Sequence, residues 1–214
     1  FTFPRTGLTV RNRTVLAALT NKQSHEDGVL SQEEHHWLTM RGEGGFGIVT
    51  TAAANVTEHG RGWEGELGVW SDHHVPGLSH LASKLSEQGA VSLAQLFHGG
   101  MRSPANLTGV QPVSASENTE PSMKGIVARE LTHNEIESII LAFGSAAARC
   151  EVAGFSGVEL HGAHSYLISQ FLGPFLEPLS AEDHHGGDLV DVLGTGHHFY
   201  NGCMPVVTFR SSTE

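Results

Sequence analysis

The chain has 214 residues, and its 12 basic against 23 acidic side chains give a formal net charge of −11 at pH 7. This acidic balance provides no electrostatic footprint for a phosphate polymer or an anionic membrane surface, so we expect neither a nucleic-acid nor a membrane partner. No apolar run approaches the roughly 18 residues of a membrane span, and no segment has the composition of a signal peptide. A cytoplasmic location is therefore the default expectation.

Three segments with helical periodicity or capping patterns predict helices. Residues 31–42 begin with Ser-x-x-Glu, a capping pattern, and run into a cluster of glycines. Residues 75–88 carry leucines three and four positions apart, which is typical of an amphipathic helix. Thr132 and Glu135 form a second capping pattern ahead of an apolar run that ends at Gly154. This last run includes Cys150, for which we predict a buried free thiol, since two cysteines are too few for a disulfide framework.

Four apolar segments predict strands between and around these helices. They lie in residues 12–21, 44–63, 92–100 and 155–160. The alternation of strand and helix favours right-handed βαβ units and a parallel sheet, hence an α/β fold. The stretch 98–131 is longer than an ordinary connection and rich in Ser, Pro, Asn and Gly, so we expect a functional loop or a disordered one.

Residues directly after the fourth predicted strand have the composition of an active site. They run HGAHSYLISQFLGP from position 161, and the carboxyl ends of parallel strands are where α/β folds bind ligands. His161 and His164 could both donate a hydrogen bond to one substrate oxygen. Tyr166 keeps its proton at neutral pH and could give it to a carbanion. The competing interpretations are histidines paired with backbone and a tyrosine packed in the core.

Two further observations concern polar residues. Gln95 lies within an apolar strand, and a buried carboxamide needs a hydrogen-bond partner. The chain has 15 histidines, several of them in adjacent pairs, but adjacent side chains point apart and HExxH is absent. We therefore predict no metal site.

The four strand blocks, in this order, resemble the old yellow enzyme family, whose members are FMN-dependent oxidoreductases built on a TIM (β/α)8 barrel. The resemblance covers roughly residues 1–176 and implies about βα units 1 to 4 of such a barrel. Residues 177–214 depart from the family pattern and form a divergent tail, for which no ordered structure is predicted except a strand-like run at 204–209.

The resemblance also implies roles for individual residues. His161 and His164 match the pair that binds the carbonyl oxygen of an α,β-unsaturated substrate, and Tyr166 matches the general acid that protonates its α-carbon. The loop 98–131 matches a region that caps the flavin. The implied cofactors are FMN and, as hydride donor, NADH or NADPH. The implied flavin contacts are Ala18 (where the family usually has proline), Leu19, Thr20, Ala53, Gln95 and His161.

Two functions remain open from the sequence. The first is NAD(P)H-dependent reduction of activated C=C bonds in enone-like substrates. The second is a truncated, non-catalytic remnant or fragment that associates through open sheet edges with another copy or with a complementing barrel half. TIM barrels commonly hold phosphate after strands seven and eight. Those units are not recognisable here, so we expect weak or no FMN binding by this chain alone.

Overall fold

Strands and helices alternate along the chain, with one small additional sheet in the middle. The computed structural model describes residues 1–4, 6–119 and 125–172, and the backbone of a final strand. The elements are β1 (Val15–Leu16), α1 (Gln32–Glu43), β2 (Ile48–Asn55), β3 (Leu67–Gly68), α2 (Val75–Glu87), β4 (Val91–Phe97), α3 (Ala105–Thr108), β5 (Val113–Ser114), β6 (Asn118–Thr119), β7 (Val127–Glu130), α4 (His133–Val152), β8 (Gly157–Leu160), α5 (Leu167–Leu172) and β9 (Val206–Thr208).

The main sheet has the order β1-β2-β4-β8-β9, with β3 pairing beside β2. β1, β2, β4 and β8 are parallel, as the alternation of elements predicts, whereas β9 runs antiparallel to β8. α1, α2 and α4 connect the parallel strands in turn. This arrangement brings the carboxyl ends of four strands to one edge of the sheet.

Successive residues of the central strand face opposite sides. Ala94 and Leu96 of β4 belong to the large core, which also contains the buried faces of the helices. Leu93 belongs instead to a small separate cluster with Val10 and Ile48. Gln95 shares the side of Leu93, because side chains two residues apart in a strand point the same way. Its carboxamide therefore lies on the face turned away from the helices.

The residues of both predicted capping patterns cap the helices α1 and α4. Ser31 Oγ accepts a hydrogen bond from Glu34 N at 3.0 Å, and α1 begins at the next residue. Thr132 and Glu135 make a complete capping box at the start of α4. Gly154 follows this helix with φ 90°, a left-handed conformation that suits glycine. Cys150 is buried as predicted.

Two regions differ from the predictions. The first strand was expected across residues 12–21 but its pairing with β2 covers only Val15–Leu16, and the residues that follow are mostly exposed. The long loop contains α3 and a three-stranded sheet of order β5-β7-β6, whose strands are too short to show a periodicity in the sequence. The boundary predicted at residue 176, and most of the tail after it, lie outside the described residues.

No helix within the described ranges is both long and apolar enough to cross a membrane.

Candidate active site

His161, His164 and Tyr166 form one cluster of rings just beyond β8. The ring centroids of His161 and His164 are 5.2 Å apart, those of His161 and Tyr166 are 4.9 Å apart, and those of His164 and Tyr166 are 6.4 Å apart. All three pairs meet edge to face. His161 is buried, Tyr166 is half-buried and His164 is exposed. A small molecule could thus reach His164 and Tyr166 from the solvent side.

A strained turn brings Tyr166 back over His161. His164 and Ser165 have φ 58° and 57°, in the left-handed region that is unfavourable for residues with a Cβ. The turn is held from several directions: Arg102 Nη1 donates to His164 O at 2.9 Å, and Gln170 Nε2 donates to Ser165 O at 2.7 Å. Strain of this kind persists only where surrounding contacts hold it, and it is common at functional sites.

Phe97, the last residue of β4, forms the floor of the cluster. Its ring is fully buried and lies 4.5 Å from the Tyr166 ring and 5.6 Å from the His161 ring, centroid to centroid. Arg102 lies on another side, with its Cζ 5.1 Å from the centroid of the Tyr166 ring. Tyr166 is therefore held between an apolar ring and a cation.

The electrostatics of the cluster determine which groups carry protons. Burial, and secondarily the charge of His164, lowers the pKa of His161 to about 4, so this imidazole is neutral at pH 7. Its Nδ1 faces Ala163 N at 3.4 Å and acts as acceptor, which puts the proton on Nε2. Burial also raises the pKa of Tyr166. At neutral pH both His161 and Tyr166 are therefore hydrogen-bond donors.

A row of three register partners crosses the sheet next to the ring cluster, and two of the three are polar. Ala53, Gln95 and Glu159 are register partners on β2, β4 and β8. Gln95 Nε2 donates to Glu159 Oε1 at 2.5 Å, which gives the buried carboxamide the partner that the sequence required. Burial raises the pKa of Glu159. Glu159 and His161 are two residues apart, so the row and the ring cluster share one face of the sheet.

The segment after β1 provides the remaining predicted flavin contacts. Leu19 is 51% exposed, Thr20 is also exposed and Ala18 is half-buried. An exposed apolar side chain, an exposed hydroxyl and the Gln95 carboxamide fit the isoalloxazine ring of FMN, which has an apolar benzenoid edge and a polar pyrimidine edge.

The sequence interpretation missed several residues of this site: Phe97, Arg102, Glu159 and His98. Glu159 had a signal, since a carboxylate within a short apolar strand requires a partner as much as Gln95 does. Arg102 and His98 gave none, because their positions depend on the fold of the loop after β4. His98 is buried, and Leu167 N donates to its carbonyl oxygen at 3.1 Å, which ties this loop to α5.

Within the part of the chain that the structure describes, no three His, Cys, Asp or Glu side chains are grouped so that they could hold a metal ion.

Comparison with known proteins assigns the chain to a family. The family model described as NADH:flavin oxidoreductase / NADH oxidase matches residues 5–190. The chain belongs to this family. It is 41% identical over 174 residues to the probable NADH-dependent flavin oxidoreductase YqiG of Bacillus subtilis, and the match covers 81% of the chain and 46% of that protein. It is 36% identical over 171 residues to the NADH:acrylate oxidoreductase of Vibrio harveyi, with 79% of the chain and 17% of that protein covered.

Solved structures confirm the fold. The old yellow enzyme homologue of Zymomonas mobilis superposes with a TM-score of 0.77 at 28% identity, over 88% of the chain and 55% of that protein. The predictions of the family, of an incomplete TIM barrel, and of FMN and NAD(P)H as the cofactors of the family are confirmed. The chain spans about half the length of YqiG and a smaller share of the NADH:acrylate oxidoreductase.

Proposed function

We propose that this chain carries the substrate-activating half of an FMN-dependent, NAD(P)H-driven reductase of activated C=C bonds. The observation that carries the proposal is the convergence of His161, His164 and Tyr166, with ring centroids no more than 6.4 Å apart, at the carboxyl end of β8. Two imidazoles and a phenol in one cluster are the groups needed to polarise a carbonyl and deliver a proton.

Each residue has a distinct part in the proposed reaction. FMN, when bound, supplies the hydride that adds to the β-carbon of the alkene. His161, neutral and protonated on Nε2, and His164 donate hydrogen bonds to the substrate carbonyl oxygen and so draw electron density from the β-carbon. Tyr166 gives its phenolic proton to the α-carbon. Ala18, Leu19, Thr20, Ala53 and Gln95 would contact the flavin ring.

The substrate class is a small molecule with an alkene conjugated to a carbonyl. The relative named for acrylate supports this class, because acrylate is an α,β-unsaturated carboxylate. The alternative of a non-catalytic remnant is less well supported, since the ring cluster keeps its full set of donors. Association with a second copy or a complementing barrel half, and a cytoplasmic location, belong to the proposal as well.

The test uses the purified protein supplied with FMN. Flavin binding is followed by the change in flavin absorbance, and oxidation of NADPH or NADH is then measured with cyclohexenone as acceptor. Cyclohexanone, which has the carbonyl but no C=C bond, is the matched control. In protein that has bound FMN, alone or after addition of a complementing barrel half, we expect nicotinamide oxidation with the enone and none with cyclohexanone. Flavin-loaded protein that oxidises the nicotinamide equally with both acceptors would contradict the proposed function.

A further inference from the structure

Glu34 is a completely buried acidic residue in the first turn of α1, and the proposed reaction does not use it. Its Oε1 accepts a hydrogen bond from Asn21 Nδ2 at 3.0 Å, and its Oε2 accepts one from Ser24 Oγ at 2.5 Å. At the start of α4 the corresponding residue, Glu135, returns its carboxylate to the N–H of Thr132. Glu34 instead binds residues that lie 10 and 13 positions earlier in the chain.

The hydrogen bond between Asn21 and Glu34 has a defined direction. The other end of the Asn21 carboxamide, Oδ1, accepts from Gln23 N at 3.2 Å, so Nδ2 is the end that faces Glu34. Nδ2 can only donate. Burial raises the pKa of Glu34, against the hydrogen bonds from Ser24 and Asn21. Whether or not the carboxyl group carries a proton, its Oε1 is the acceptor of this bond.

Residues 21–24 form a tight turn that is held from two sides. Lys22 has φ 54°, in the left-handed region that is unfavourable for a residue with a Cβ. Ser24 N donates to Gly65 O at 3.1 Å, and a Cβ built on Gly65 would lie 2.6 Å from Lys22 O. Strain of this kind persists only where surrounding contacts hold it, and Glu34 supplies two of those contacts on the side opposite to Gly65 in sequence.

This turn directly follows residues 18–20, which the proposed function places against the flavin ring. The pairing of β1 with β2 ends at Leu16, and Leu19 and Thr20 are exposed. The segment 18–20 is therefore fixed by what lies at its two ends, β1 before it and the turn at Asn21 after it. A segment that is already in position loses less conformational freedom when a ligand binds.

We propose that Glu34 is a positioning residue for the flavin site. It holds Asn21 and Ser24, and the turn between these two residues sets the backbone of residues 18–20. The role in flavin binding rests on the proposed function, whereas the hold on the turn does not depend on it.

Exchanging the donor and the acceptor tests this hold. Asn21→Asp sets a second carboxyl group against Glu34, so the pair must repel or share a proton. Adding Glu34→Gln restores the bond in the opposite direction, because the new carboxamide can donate to the new carboxylate. Hydrogen–deuterium exchange of the peptide that contains residues 18–24, at about pH 8, should be roughly tenfold faster in Asn21→Asp and should return to within about twofold of the unchanged protein in the double variant. Ser24→Ala, which removes the second bond, should also accelerate this peptide.

Two controls match the changes in charge. Gln23→Glu adds the same charge at an exposed position of the same turn and should leave the exchange unchanged. Asn21→Asp combined with Glu33→Gln has the net charge of the double variant, but the second change is at an exposed neighbour of Glu34, so exchange should stay as fast as in Asn21→Asp alone. If Asn21→Asp does not fold, Glu34→Gln should restore folding and Glu33→Gln should not.

Unchanged exchange in both Asn21→Asp and Ser24→Ala, or no recovery in the double variant, would overturn the inference. FMN is then titrated into the same proteins, alone and with a complementing barrel half. Its affinity should fall in Asn21→Asp and recover with Glu34→Gln, and equal affinities throughout would overturn the role in the flavin site. If the unchanged protein binds no FMN even with the second half, the proposed function fails, while the exchange result still decides whether Glu34 holds the turn.

Discussion

The side chain of His98 is almost completely buried and accepts one hydrogen bond from the backbone. It is 5% exposed, and its Nδ1 accepts from Gly100 N at 3.1 Å. The ring also packs against Gly60, where a Cβ would lie 2.6 Å from His98 Cδ2. Burial lowers the pKa of this imidazole to about 4, so it folds as the neutral form. The residue therefore links the stability of the active-site loops to pH.

The pH dependence of stability should show this histidine directly. The pKa of His98 is about 4 in the folded protein and about 6.5 in the unfolded chain. The contribution of neutral His98 to the free energy of unfolding is therefore complete above pH 6.5 and is lost as the pH falls towards 4. The whole loss amounts to about 3 kcal/mol in the free energy of unfolding. Urea denaturation between pH 7.5 and 4.5 should give a flatter profile for His98→Asn, whose Oδ1 can still accept from Gly100 N. His36→Asn, at an exposed position, is the control and should keep the pH dependence of the unchanged protein. If the profile of His36→Asn were as flat as that of His98→Asn, the assignment to His98 would be contradicted.

His164 is the exposed member of the ring cluster, so its replacement should affect ligands more than folding. We expect His164→Ala to weaken the binding of a phenol or enone ligand to the flavin-loaded protein by roughly tenfold, the loss of one hydrogen bond of about 1.5 kcal/mol. Ligand titration followed by flavin absorbance measures this. Ligand affinity equal to that of the unchanged protein would show that His164 does not touch the substrate.

At the scale of elements, α4 shows how local sequence defines a boundary. Thr132 Oγ1 accepts from Glu135 N at 3.4 Å, while Glu135 Oε2 accepts from Thr132 N at 2.9 Å. Hydrogen bonds from Arg129 hold the pKa of Glu135 at about 2, so its carboxylate is charged at neutral pH. β7 and α4 are joined through this pair, which ties the loop sheet to the main fold.

Removing the cap should cost stability without touching the site. Thr132→Ala is expected to lower the free energy of unfolding by about 1 kcal/mol. Ser138→Ala, an exposed change within the same helix, is the matched control. There the Ser138 Oγ bond to Asn134 O is lost but helix propensity rises, so little net change is expected. Equal effects of the two substitutions in urea denaturation would refute the role of the capping box.

The same elements show what sequence can predict here. Ser31, Thr132 and Gly154 act on backbone groups within a few residues, so their patterns predict helix ends correctly. The strands of the small sheet are two to four residues long and have no periodicity to detect. Arg102 acquires its neighbours only through the tertiary fold. His161, His164 and Tyr166 could be predicted as a group because one short segment carries all three.

On the scale of the whole molecule, one face of the main sheet forms the apolar core and the other carries the polar groups of the site. The side packed on the helices holds the large apolar core, with Leu96 and Leu160 fully or almost fully buried. The opposite side carries Gln95, Glu159 and then His161 towards the carboxyl edge. Parallel strands bring these polar groups to one edge, and the loops after β4 and β8 complete the site with Arg102 and Tyr166.

The most direct test of the account is to separate the two half-reactions of the flavin-loaded protein in the Tyr166→Phe variant by rapid mixing. Reduction of the flavoprotein by NADPH needs no proton from Tyr166 and should keep nearly its full rate. Reoxidation by an enone needs that proton and should slow by about 10² to 10⁴-fold. A Tyr166→Phe protein that loses both half-reactions equally, or neither, would contradict the assignment of Tyr166 as the acid.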